Sequence, residues 1–147
     1  MDWRSVLRKM HSDYNNLTFF DPITEQELNE IKNKTGVEIS GDLLELLQQT
    51  NGISENVTGS LIFTSNQIIE YYKEHLDFLK ETENIPLYEL LFFSGNGCGE
   101  NFCFIVKDGK FITKEIGIYY PMENEYRIVA PDLMTWAKDW LSGELKT

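Results

Sequence analysis

Apolar and polar residues alternate along this chain with two different periods. Residues 2–15 place Trp3, Val6, Leu7, Met10 and Tyr14 at helical spacing, which predicts an amphipathic helix. Phe19, Phe20 and Pro22 follow as an extended segment. Thr24-Glu25-Gln26-Glu27 has the form of a capping box and opens a second helix, with Leu28 and Ile31 as its buried stripe. Gly36 ends it as a C′ residue. Ser40 caps a third helix, whose Leu43, Leu44, Leu46 and Leu47 form a broad apolar face up to the turn Asn51-Gly52. A loop over 53–60 leads to a short strand, LIFT (61–64). Thr64 or Ser65 caps a long helix over 66–81, buried along Ile68, Ile69, Tyr72, Leu76 and Leu79.

From Leu87 the period changes. LYELLFF reads as a strand, and NFCFIV (101–106) is apolar nearly throughout, as in the middle of a sheet. Asp108-Gly109 is the strongest short hairpin signal available. Strands are expected around 111–120 and 126–130, joined by PMENE, before a last helix after Pro131-Asp132 that carries Leu133, Met134, Trp136, Ala137, Trp140 and Leu141 and stops at Gly143. Helices first, an antiparallel meander next and a closing helix predict an α+β fold, with helices packed on an antiparallel sheet. The 147 residues fit one domain, with 1–20 as an N-terminal helical extension.

Between the first two strands of the meander runs FFSGNGCGENFCF (92–104), with Gly95, Gly97 and Gly99 within five positions and Cys98 and Cys103 five apart. A phosphate cradle needs a strand that enters a helix. Here the stretch joins strand to strand, has no third glycine in phase and no Gly-Lys-Ser/Thr. The cysteine spacing differs from zinc ribbons and thioredoxin-like motifs, and only His11 and His75 remain as further ligands, in separate helices. No metal and no cofactor is expected. His75 stands between Glu74 and Asp77 and is expected at the surface; no histidine is placed beside a nucleophile. The stretch therefore reads as a turn feeding a strand, with Cys103 as a small core residue. Glu100 has two readings: it hydrogen-bonds the amides of its own turn, or it faces a basic partner.

Charge adds a second theme. Thirteen basic and 24 acidic residues give a net charge of −11. Residues 35–106 hold eleven acids against Lys73 and Lys80, a net −9. That excess disfavours nucleic acid, whose binding rests on Lys and Arg at phosphates. It either keeps the protein soluble or attracts a basic protein. No opening segment resembles a signal peptide and no stretch reaches the roughly 18 apolar residues of a membrane span. Two cysteines without an export signal fit a reducing cytoplasm.

From about Thr24 the chain resembles the SUKH superfamily, the Smi/Knr-like proteins. ELLQQTNGI, LLFFSGNGCGENFCFIVKDG and IGIYYPMENEYRIVAPDLMTWAKDWL carry the resemblance. One departure is Ser40-Gly41, where family members commonly have a proline before the helix. The resemblance implies a non-enzymatic immunity protein of bacterial polymorphic toxin systems, which binds and neutralises a cognate toxin, often a nuclease. The expected contacts with such a basic partner are Glu55, Glu70, Asp77, Glu100, Tyr119, Tyr120, Glu123 and Glu125, while Asn51, Gly52, Gly95, Gly97, Gly99, Asp108 and Gly109 are expected to shape turns. The alternative is a protein-binding adaptor of the same fold with no toxin partner. A monomer or weak homodimer is expected in either case.

Overall fold

The computed structural model describes residues 1–10, 17–56, 59–84, 89–145 and 147. Capping chemistry sets most helix starts. The Thr24 and Thr64 hydroxyls each accept from the backbone amide of the third helical residue, whose side-chain oxygen accepts in turn from the threonine amide, so α2 (Glu25–Thr35) and α4 (Ser65–Glu81) both begin with complete capping boxes. Asp132 caps α5 (Leu133–Ser142) through the Thr135 amide. Ser40 stands at the N-cap of α3 (Gly41–Leu47) but its hydroxyl makes no capping bond, contrary to the expectation from sequence. Helix α1 runs from Trp3 to Met10. The expected continuation through Tyr14, and His11, lie outside the described residues, as do Leu87 and Tyr88.

Two antiparallel sheets form. The first, in the order β1-β2-β3, joins Leu17–Phe19, Ile53–Glu55 and Gly59–Ile62. It replaces the loop expected over 53–60. In the second, β4 (Glu89–Gly95), β5 (Asn101–Lys107), β7 (Ile116–Tyr120) and β8 (Glu125–Ala130) run in that order, and the two-residue β6 (Lys110–Phe111) pairs with β5. This is the expected meander, with the segment 111–120 split into β6 and β7. The sheets meet where Phe63 N–H donates to the Phe93 carbonyl at 2.8 Å and the Ser94 hydroxyl to the Leu61 carbonyl at 2.6 Å. The chain is thus a single α+β domain.

Register assigns the two faces of the second sheet. Leu91 pairs with Phe104 and Phe92 with Cys103, and a bulge between Phe92 and Ser94 shifts the ladder. Phe93, Phe102 and Phe104 form one face, over which α5 lays Trp136 with its ring 4.9 Å from Phe93 and 5.3 Å from Phe102. Phe92 and Tyr119 belong to the other face, against α4. Cys103 is fully buried and burial pushes its thiol well above the ordinary value; Cys98 is exposed.

Turn residues act at specific points. Asp108 (φ 52°) and Gly109 (φ 77°) both take the left-handed conformation that a tight hairpin of matching twist requires. Asn51 does more than turn the chain. Its amide donates to Glu27 Oε2 at 3.0 Å and its oxygen accepts from the Ser65 amide at 2.9 Å. Asn51 thereby ties the N-termini of α2 and α4 together. Hydrogen bonds, first from the Thr24 amide, hold Glu27 below the usual carboxylate range.

The described residues 1–10 and 17–20 are integrated with this body. Trp3 and Leu7 are 1% exposed, and the Arg4 guanidinium donates to the carbonyls of Gln49 and Phe20 at 2.7–3.1 Å.

Candidate functional site

Helix α4 presents two different stripes side by side. Ile68, Ile69 and Leu79 are buried. Tyr71, Glu74, His75 and Phe78 look instead into a cleft of about 680 Å³. Its other walls come from the start of β3 (Gly59, Ser60), the sheet face (Phe92, Asn101, Tyr119), the glycine-rich turn (Gly95, Gly97, Gly99, Glu100) and Pro121. The size is ordinary for a binding site.

Aromatic rings form the floor. Phe63 and Tyr71 stack at 4.3 Å with planes 10° apart, while His75 stands edge-on to Tyr119 at 4.8 Å and to Phe92 at 5.2 Å. His75 is therefore half-buried, not the surface residue that its acidic neighbours implied. Burial lowers its pKa below the ordinary imidazole value, which favours the neutral ring. A group with a depressed folded-state pKa of this kind binds fewer protons folded than unfolded, so stability rises with pH through the interval. Stability is expected to be full above about pH 6.5 and to fall as pH drops through the His75 pKa. His75→Phe should flatten this segment of the pH–stability curve. An unchanged slope in the variant, measured by chemical denaturation at several pH values, is the contrary result.

Asn96 organises the glycine-rich wall. It is 8% exposed, and its side-chain oxygen accepts from the amides of Cys98 (2.8 Å) and Glu100 (3.3 Å). Gly97 and Gly99 take positive φ, 80° and 97°, between those bonds. Among the described residues, the Glu100 carboxylate accepts from no backbone amide of its turn. Its Oε1 accepts from the Asn96 side-chain amide at 3.2 Å and its second oxygen is unpaired among the described residues.

The predicted contact residues divide accordingly. Glu100 and Tyr119 line the cleft. Tyr119 is only 4% exposed, and its hydroxyl donates to Asn124 at 2.6 Å. Glu70 and Asp77 are exposed and share a helix face with Glu74 and Glu81, at spacings of three and four residues, directly beside the cleft-facing stripe. Glu123 and Glu125 are exposed just after Pro121, with Glu125 bridged to Arg127 at 3.2 Å. Tyr120 is half-buried beneath the Arg127 guanidinium. Glu55, in β2, is 5% exposed. Sequence reading missed Glu74, His75, Tyr71 and Phe78 as cleft residues. Their spacing of three and four residues was the available signal.

Among the described residues, no lysine or arginine lines the cleft. Among the described residues there is no group of three or more His, Cys, Asp or Glu side chains placed to hold a metal, and no helix is long and apolar enough to cross a membrane. No curated protein matches the chain significantly. A family model does, over residues 22–139, which takes in every element from α2 through most of α5 and all the walls of the cleft. The chain belongs to the SMI1/KNR4 family (SUKH-1).

Proposed function

We propose that this protein is an immunity protein, which binds a cognate secreted toxin with a basic, nuclease-type active surface and blocks it by occlusion. The family includes immunity proteins. The observation that carries the reading is the aromatic cleft with Glu74 and Glu100 in its walls, the acids of α4 along its border and, among the described residues, no cation in its lining. Such a surface complements a positively charged one and competes with the phosphates that a nuclease would otherwise hold. The protein acts by binding, without catalysis, in the cytoplasm of the cell that makes the toxin.

Electrostatic attraction of this kind acts mainly on association rate. The triple substitution Glu70→Lys, Glu74→Lys and Asp77→Lys is expected to slow association with the toxin by roughly 10-fold or more at low salt, and the wild-type rate should fall steeply as salt rises. Co-expression with a candidate toxin from the same gene neighbourhood provides the direct test. Survival with the wild-type chain and a complex on a sizing column are expected. Continued killing, with no complex, overturns the reading.

A further inference from the structure

We propose that the cleft receives an arginine side chain carried on a loop of the partner protein. The assignment rests on the binding role above and deepens it. Three observations carry it. First, the polar lining is rich in acceptors. Glu74 comes from α4 and Glu100 from the glycine-rich turn, Ser60 and Asn101 also line the cleft, and four glycines leave bare backbone at the surface. A guanidinium has five donors and no acceptor, so it suits such a lining, while an anion meets two carboxylates and, among the described residues, no cation. Glu100 keeps one oxygen unpaired among the described residues.

Second, the floor is aromatic. A guanidinium is planar and weakly hydrated, and it stacks on aromatic faces; an ammonium is compact and strongly hydrated. The protein uses this preference within its own fold, where Arg8 sits 4.8 Å above the Phe19 ring. His75, held towards its neutral form by burial, adds no opposing charge.

Third, the acceptor surface is larger than a small ligand. A cleft of about 680 Å³ exceeds one side chain. The acids Glu70, Glu74, Asp77 and Glu81 extend beyond it along roughly 16 Å of helix. A free amine would meet Glu74 alone among these, whereas a protein surface around an inserted loop spans the row.

The test uses the full chain, isotopically labelled for amide resonances, titrated separately with N-acetyl-arginine amide, its lysine counterpart and its citrulline counterpart. Citrulline keeps the shape and removes the charge. The arginine derivative is expected to move the amides of residues 71–78 and 95–101, the lysine derivative to do so only at several-fold higher concentration, and the citrulline derivative not at all. Glu74→Gln and Glu100→Gln, each with an unchanged melting temperature, are expected to weaken arginine binding by about tenfold. Equal shifts with citrulline, shifts confined to other regions, or undiminished binding by both variants overturn the assignment. The co-expression assay separates it from the immunity role. Protection that survives the double substitution Glu74→Gln and Glu100→Gln overturns the arginine assignment and leaves the immunity role standing. Arginine binding in the cleft together with no protection by the wild-type chain does the reverse.

Discussion

Gly109→Ala is expected to destabilise the protein by about 2–5 kcal/mol, although it adds a single methyl group to a surface hairpin. Two effects add. Gly109 has φ 77°, a conformation that costs an L-residue about 1–2 kcal/mol. The new Cβ would also stand 2.5 Å from the Gly36 carbonyl oxygen, well inside contact distance. That oxygen belongs to backbone and cannot swing away. The contact is pinned from both sides, because the Glu38 amide donates to the Gly109 carbonyl at 2.7 Å. Relief therefore requires the β5–β6 hairpin and the end of α2 to separate. Gly36→Ala serves as the control. Gly36 has φ 75° with open space around its own Cβ position, so only the conformational contribution applies, about 1–2 kcal/mol. Denaturant midpoints for the two variants measure the difference. Equal losses contradict the close approach.

Trp136→Ala is expected to lower stability by about 3–5 kcal/mol, equivalent to roughly 10–15 °C in Tm for a chain of this length. Trp136 is 0% exposed and meets Phe93 and Phe102 edge-to-face at 4.9 and 5.3 Å. Truncation removes both ring contacts and leaves a cavity between α5 and the sheet that the backbone is too constrained to fill. Trp136→Phe is expected to cost less than half as much. It retains a ring in the same space, and it removes an indole N–H that has no hydrogen-bond partner among the described residues. Comparable losses in the two variants would show that the indole makes an interaction other than packing. Because the cleft lies on the opposite face of the sheet, partner binding by folded Trp136→Phe should equal that of wild type.

Local chemistry made much of this fold readable. The capping box at Thr24, the Asp108-Gly109 hairpin and the αL cap at Gly36 each depend on a few adjacent residues, and each appears where the sequence places it; of the two caps expected for α4, Thr64 and Ser65, the structure uses Thr64. The first sheet was readable only in part, through the strand expected over 61–64 that overlaps β3, for the converse reason. Its strands hold three or four residues, and β1 finds β2 across more than thirty positions, with Leu17 opposite Glu55. The polar ISEN segment carries no alternation that would announce a strand. The same distinction applies to the site. Acidity and the glycine-rich turn were visible. The position of His75 was not, because its sequence neighbours Glu74 and Leu76 are exposed or near solvent while its spatial neighbours, Phe92 and Tyr119, come from other elements. Asn96 showed only as part of an Asn-Gly pair; its bonds to two amides require the folded turn.

The contrast between the two thiols supplies a spectroscopic handle. Cys98 is exposed between two glycines of the cleft wall, and Cys103 is sealed in the sheet with a raised pKa that suppresses its reactive thiolate. A maleimide dye at neutral pH should modify Cys98 alone in the native wild-type chain. The fluorophore then sits at the mouth of the cleft without any engineered cysteine, where its emission reports occupancy as it happens.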